Sequence, residues 1–334
     1  MIPQTLSPLQ PAAWQAVLRD AISDPAELLQ LLELDEELDR VTATSGFPLR
    51  VPRGFVARMR KRDRNDPLLQ QVLPLRRELD EAPGYATDAV GDLAAIRTGG
   101  VVHKYRGRAL LIATGACAVH CRYCFRRHFP YEQINASRHG WRAALDTLAS
   151  DPSLEEVILS GGDPLSLSDR RLADLAQALD GIPHLRRLRV HTRLPVVVPE
   201  RVDEALLAWL ARGRLQRVLV VHVNHAQEID AAVAGAFRRL ADSGITLLNQ
   251  SVLLRGINDD ARILAELSER LFDCRVMPYY LHLLDRVRGA AHFDVAEDRA
   301  VGIMRALAAR LPGYLVPRLV QEQAGEPNKL PVAW

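Results

Sequence analysis

The chain has 334 residues, 48% of them hydrophobic and 25% charged, with 43 Lys and Arg set against 41 Asp and Glu. That composition suits a globular protein with room for two domains, or for one barrel with an appendage. A net charge of +2 says little about partners, no run of about 18 apolar residues offers a membrane span, and Met1-Ile2-Pro3-Gln4-Thr5 lacks a secretory leader pattern. Four cysteines are too few for a disulfide scaffold. The expectation is therefore a cytoplasmic protein whose partners include neither nucleic acid nor membrane.

In chain order, residues 11 to 40 carry apolar side chains at helical spacing, in Pro11 to Leu18 and in Asp24 to Leu32. Asp24 followed by Pro25 is a cap and first-turn pair. Arg58, Arg60, Lys61, Arg62 and Arg64 form a basic run. It reads as a solvated helix face, or as a docking patch for an acidic or nucleic-acid partner. Residues 80 to 103, with Pro83-Gly84, Gly91 and Gly99-Gly100, read as an irregular connector.

Beyond residue 103 the pattern changes. Six apolar, β-rich segments follow: Ala109–Thr114, Glu156–Ser160, Leu188–Thr192, Val218–Val223, Ile245–Gln250 and Val276–Leu281. Amphipathic helices are expected between most of them, over Asp169–Leu179, Glu200–Arg212, Ala226–Ser243 and Asp259–Phe272. Apolar strands with helical crossovers imply a parallel α/β sheet, and six units imply a partial (β/α)₆ barrel. Active sites of such barrels sit just after the strands, where polar residues cluster here. The expected organisation is an N-terminal helical region with connector over residues 1–95, the partial barrel over 96–318, and a C-terminal segment over 319–334.

The first strand runs into Cys117-Ala118-Val119-His120-Cys121-Arg122-Tyr123-Cys124. Three thiolates on one hook can hold a [4Fe–4S] cluster and leave one iron open to a small molecule. The alternative is a structural zinc, with His120 or His128 as fourth ligand, although such sites usually pair two separate hooks. Cys274 stands apart and reads as a small buried apolar residue. The CxxxCxxC run, with Tyr123 before the third cysteine, resembles the signature of the radical S-adenosylmethionine (radical SAM) enzymes.

Two further motifs follow. Ser160-Gly161-Gly162-Asp163-Pro164-Leu165 ends a strand, and its glycines let backbone come close to a ligand or merely make a turn. Gly325-Glu326-Pro327-Asn328-Lys329-Leu330-Pro331 holds one lysine among turn formers, in a chain where lysine is scarce. Such a lysine is either a solvated tail residue or an amine placed to form a Schiff base with an aldehyde cofactor.

Together these motifs resemble the lysine 2,3-aminomutase family, radical SAM enzymes that also use pyridoxal 5′-phosphate (PLP). The resemblance includes Tyr105, Arg108, Arg126-Arg127, Thr192-Arg193-Leu194-Pro195 and Val223-Asn224-His225. It continues through Asn249 to Asp259, Pro278-Tyr279-Tyr280, Asp285 and Ala291-His292-Phe293. It implies a cluster on Cys117, Cys121 and Cys124, and SAM against Gly161, Gly162 and Asp163. It makes Lys329 the PLP lysine and Arg126 the partner of the substrate carboxylate. Asp285 and Glu322 would receive the ε-ammonium of L-lysine, Glu322 standing where the family has an aspartate. The implied reaction turns L-α-lysine into (R)-β-lysine, through a 5′-deoxyadenosyl radical that takes hydrogen from Cβ.

Trp334 lies five residues after Lys329, the zinc-binding cysteines of free-standing lysine aminomutases are missing, and Asp259-Asp260 replaces a cysteine of the GIND segment. These departures, with the GEPNK and PYYLH wording, resemble a narrower group that supplies (R)-β-lysine to elongation factor P. That implies a functional link to elongation factor P and its lysyl-ligase, and an electron donor such as flavodoxin or ferredoxin. Two readings stay beside it, an aminomutase making β-lysine or another β-amino acid for a different pathway, and a non-enzymatic iron–sulfur electron carrier.

Overall fold

The computed structural model describes residues 13–42, 46–134 and 141–334. Pro11 and Ala12 of the first expected helix, and the Met1–Thr5 segment, lie outside the described residues. The N-terminal region holds four short helices: α1 (Ala13–Arg19), α2 (Pro25–Leu31), α3 (Arg53–Val56) and α4 (Pro67–Gln70). Asp24 caps α2 by accepting from the Ala26 amide at 2.9 Å, and Asp66 caps α4 through the Leu68 and Leu69 amides.

The basic run is neither a helix face nor a free patch. Most of its residues lie in turns between α3 and α4, and acids of the same chain meet them. Lys61 and Arg62 share Glu33 at 3.0 and 2.7 Å, Arg60 faces Asp66 at 3.4 Å, and Arg64 faces Glu37 at 3.5 Å. Arg58 is turned inward, donating to the carbonyls of Val196 at 2.7 Å and of Glu228. Arg60 also donates to Gln227 Oε1 at 3.0 Å. Arg58 and Arg60 therefore tie the N-terminal region to the remainder of the molecule, while Lys61, Arg62 and Arg64 pair within it.

Among the described residues, ten strands form one sheet in sequence order. They are β1 (Ile96–Arg97), β2 (Val101–Tyr105), β3 (Arg108–Thr114), β4 (Glu156–Gly161), β5 (Arg187–Thr192), β6 (Gln216–Val221), β7 (Thr246–Val252), β8 (Met277–His282), β9 (Arg318–Gln321) and β10 (Leu330–Pro331). β3 to β9 are parallel; β1–β2, β2–β3 and β9–β10 are antiparallel. All six expected barrel strands are present within two residues of their expected ends. The connector was misjudged in its last part. Gly99 and Gly100, at φ +73° and +76°, turn β1 into β2, so residues 96–105 form a hairpin on the edge of the barrel.

The crossover helices are α5 (Arg142–Ala149), α6 (Asp169–Asp180), α7 (Leu194–Val197), α8 (Glu204–Leu210), α9 (Ala231–Asp242), α10 (Ala261–Asp273) and α11 (Glu297–Ala308). α8 and α9 start four and five residues later than expected. Asp203 and Asp230 cap them by accepting from Leu206 and Val233 amides at 2.9 Å, and short 3₁₀ turns occupy Pro199–Arg201 and Ala226–Glu228. Leu111, Leu159, Leu188, Leu219 and Phe237 are fully buried, so the strands' apolar runs and the helices' inner faces make one core. Each such side chain contributes roughly 1.5–3 kcal/mol of burial. That core also takes in Trp14, Leu28 and Phe55 from the N-terminal region.

One cavity touches residues of β2, β3, β4, β5, β7 and β8 and the segments after β6 and β9. A single cavity can meet all of them only if the sheet curls around it. Since β1 and β10 are the two ends of the strand order, the barrel stays open along one side. The architecture is thus a partial (β/α)₆ barrel extended by β9 and ending in the β9–β10 hairpin.

Candidate active site

β3 ends in a register slip between Ile112 and Thr114, and there the chain leaves the sheet to make the cysteine loop. β4 runs alongside. The Gly162 amide donates to Thr114 O at 2.7 Å and the Asp163 amide to Ala116 O at 2.8 Å. A Cβ on Gly162 would lie 2.3 Å from Ala116 O, and one on Gly161 2.6 Å from Thr114 O. The glycine motif thus lets two backbones run in contact, beside the cavity that both loops line. The Asp163 carboxylate is spent within the protein. Oδ1 accepts from Thr192 Oγ1 and the Leu165 amide, and Oδ2 from the Arg193 and Leu194 amides.

Cys117, Cys121 and Cys124 are reduced and line the cavity. Burial pushes the Cys124 thiol up to about 11 and raises the Cys117 thiol well above its usual range, so thiolates here need a cation beside them. His120 stacks on Phe47 and its Nδ1 meets Pro48 O at 2.8 Å; exposed His128 meets Arg288 O at 3.2 Å. Neither imidazole is presented as a fourth zinc ligand. No three His, Cys, Asp or Glu side chains among the described residues converge on one point, as a single ion requires. Sulfurs that each take a different iron of a cube need not converge.

On the opposite wall the β9–β10 hairpin explains the seven-residue spacing of Glu322 and Lys329. Leu330 pairs with Gln321, so the next rung sets Lys329 against Glu322, Nζ to Oε2 at 2.5 Å. From there one line of charge crosses the open side of the barrel. Glu322 Oε1 meets Lys104 Nζ at 3.0 Å, Lys104 meets Asp92 Oδ1 at 2.5 Å, and Asp92 Oδ2 accepts from Arg126 Nε at 2.7 Å. Arg126 also donates to Ser160 Oγ at 2.9 Å and lies over the Phe125 ring.

The two candidate ammonium acceptors differ. Burial opposes charge on both. Lys329 and Lys104 nevertheless hold Glu322 far below the usual carboxylate range. Asp285 has no such partner; burial, then the Glu322 charge, pushes it up to about 7. Its Oδ1 is enclosed without a hydrogen-bond partner, as are Nε2 of His191 and of His282 on the same cavity. Burial keeps His191, His222 and His282 neutral, with His222 lowered to about 3.

The structure therefore brings Cys117, Cys121, Cys124, Arg126, Gly161, Gly162, Asp163, Asp285, Glu322 and Lys329 to one cavity. Asp92 and Lys104 join them unanticipated. Lysine scarcity was a usable signal for Lys104, since two of only three lysines line this site. A lone Asp92 after Gly91 carries no signal. In the Asn249 to Asp259 segment, Asn249 and Asn258 are scaffolding, bonded to backbone around Val223, Asn224, Val252 and Leu254, while Gln250, Ser251 and Val252 line the cavity.

The chain is 50% identical over 322 residues to an L-lysine 2,3-aminomutase of Escherichia coli (strain K12), covering 96% of this chain and 94% of the relative. The chain belongs to the lysine 2,3-aminomutase family. A second L-lysine 2,3-aminomutase, from Haemophilus influenzae, is 48% identical over 318 residues, with 95% and 94% covered. No family model matches. Among solved structures, a radical SAM methyltransferase from Sphaerobacter thermophilus is similar at 18% identity and a TM-score of 0.44, over 66% of this chain and 68% of that one. The lysine 2,3-aminomutase family is one of isomerases, which removes the electron-carrier reading.

Proposed function

We propose that the protein is an L-lysine 2,3-aminomutase that converts L-α-lysine to (R)-β-lysine for attachment to elongation factor P. The observation that carries this is the meeting, in one cavity, of three thiols on one wall and a lysine flanked by acids on the other. The family relatives carry the substrate name, and the GEPNK and PYYLH segments carry the elongation factor link.

Cys117, Cys121 and Cys124 would hold a [4Fe–4S] cluster, SAM would lie against the Gly161-Gly162 edge, and Lys329 would hold PLP. When bound, these groups supply the radical that removes hydrogen from Cβ and the carbonyl that carries the migrating nitrogen. The chain's own tasks are orientation and exclusion of water. Arg126 presents its guanidinium to the substrate carboxylate while Asp92, on Nε, and Ser160, on Nη1, fix its plane. Asp285, with one oxygen unpartnered, receives the ε-ammonium, and Glu322 adds a second negative charge beside it. Asp163 keeps the glycine loop seated on β5. Neutral His191, His222 and His282 add no cation to a pocket that must accept one. An electron donor such as flavodoxin or ferredoxin would act from outside, and the cytoplasm is the fitting compartment.

The test is anaerobic reconstitution with iron, sulfide, PLP and SAM, followed by product analysis with L-lysine. (R)-β-lysine is expected, and its absence from a fully loaded protein overturns the reading. Deleting the gene should remove the β-lysyl mass increment from elongation factor P. An unchanged factor would leave an aminomutase that serves another pathway.

A further inference from the structure

Arg193, which directly follows β5, makes four side-chain hydrogen bonds at the cavity. Nη1 lies 2.7 Å from Cys121 Sγ and 2.8 Å from the Tyr123 hydroxyl. Nη2 donates to Gln71 Oε1 at 2.7 Å and to Glu228 Oε2 at 2.8 Å. The guanidinium also faces the rings of Phe55 and Tyr123. Its holders are held in turn. Glu228 Oε1 accepts from the Asn224 and His225 amides and from Gln71 Nε2, and Asn224 Nδ2 donates to Tyr123. A planar cation thus sits pinned against one cysteine sulfur, while its balancing carboxylate lies on the other prong of the fork.

We infer that Arg193 sets the reduction potential of the cluster on the cysteine loop, by donating a charged hydrogen bond to the sulfur of Cys121. The inference rests on the cluster reading above. Taking up one electron adds one negative charge to the cluster. A buried cation in contact with a ligand sulfur stabilises that charge more than the oxidised state. Arg193 therefore raises the potential and eases delivery of the electron by an external one-electron donor. Lysine keeps the charge but cannot span sulfur, Tyr123, Gln71 and Glu228 at once, because it lacks the fork.

The test is a dithionite titration, followed by electron paramagnetic resonance, of the reconstituted full chain and of Arg193→Gln and Arg193→Lys. Iron and sulfide are counted in each. In Arg193→Gln the midpoint should fall by at least about 59 mV, a tenfold change for a one-electron couple. Arg193→Lys should fall between that and the parent. A purely structural tie between Gln71, Glu228 and β5 predicts lower thermal stability at an unchanged midpoint. That result in loaded variants overturns the inference, and so does loss of the cluster from both variants while the parent is loaded. A parent that takes up no iron or sulfide overturns the cluster reading itself.

Discussion

The two walls of the cavity solve opposite problems. On the cysteine wall Asp163 accepts four donors and the two Nη atoms of Arg193 meet four acceptors, and among the described residues only the Nε atoms of Arg193 and of Arg127 are enclosed there without a partner. On the C-terminal wall the charges are strung in a single line, and Asp285, His191 and His282 keep enclosed atoms with no partner. A satisfied network fixes a shape, whereas orphaned polar atoms in a cavity need a ligand to offset their burial. The first wall is built to hold a loop in place, and the second to receive a polar guest.

The largest effects should separate the walls completely. Replacing Cys117, Cys121 or Cys124 by Ala should abolish SAM cleavage and the brown colour of about four irons per chain, with PLP uptake retained. Lys329→Ala should do the reverse, losing the PLP absorbance band and keeping iron, sulfide and SAM cleavage. Borohydride trapping of PLP on Lys61 or Lys104 would break the assignment, as would stoichiometric zinc without sulfide.

Asp92→Asn tests whether the line of charge is structural or incidental. It removes the anion between two cations whose side chains are 7% and 15% exposed, Arg126 and Lys104. Breaking a buried pair from one side costs about 3–5 kcal/mol. Denaturant unfolding should show that loss, and KM for L-lysine should rise more than kcat falls as Arg126 loses its orientation. Stability equal to the parent's would mean that solvent already screens the line.

Asp285→Asn separates guest reception from shape-holding, because the two views predict opposite signs. With its carboxyl raised to about 7, Asp285 is protonated in the folded state over the pH range where it ionises in the unfolded chain. Its burial therefore lowers stability as pH rises from about 4 to 7, and the penalty is complete above 7. The asparagine variant should be at least as stable as the parent at pH 8. Its use of L-lysine should nonetheless fall at least tenfold in kcat/KM, about 1.4 kcal/mol. The parent's kcat/KM should decline below about pH 7, as Asp285 loses the charge that meets the ammonium, and this acid limb should flatten in the variant. A variant that is less stable at pH 8 and unchanged toward lysine makes Asp285 a mouth-holding residue.

The barrel was legible because a parallel strand buried on both faces must be an apolar run, and Glu156–Ser160 or Val218–Val223 could be little else. The cysteine loop was legible as part of the site because three thiols share one short hook after a barrel strand, and all three line the cavity. Less legible were elements whose reason lies across the fold. β1 and β2 hide among glycines, β9 shows only as Leu319-Val320, and β10 is two residues long. Asp92 and Lys104 matter because the barrel stays open between its hairpins, a property of closure that no local pattern carries. The basic run was misread for the same reason, since Glu33 and Glu37 that consume it lie more than twenty residues earlier.

The smallest effect should come from Glu322→Asp, which shortens one arm of the C-terminal wall without removing its charge. Glu322 reaches Lys104 with one oxygen and Lys329 with the other. An aspartate on the same rung is one methylene shorter and can keep only one of these contacts. The hairpin register fixes Lys329 opposite this position, so that pair should survive and the Lys104 contact should lengthen. The negative charge beside Asp285 remains, so kcat/KM for L-lysine should stay within about threefold of the parent, roughly 0.7 kcal/mol. The melting temperature should drop slightly with the weakened tie across the barrel's open side. A loss as large as that of Asp285→Asn would mean that both acids grip the ammonium equally, and the contrast between a committed Glu322 and a waiting Asp285 would fall.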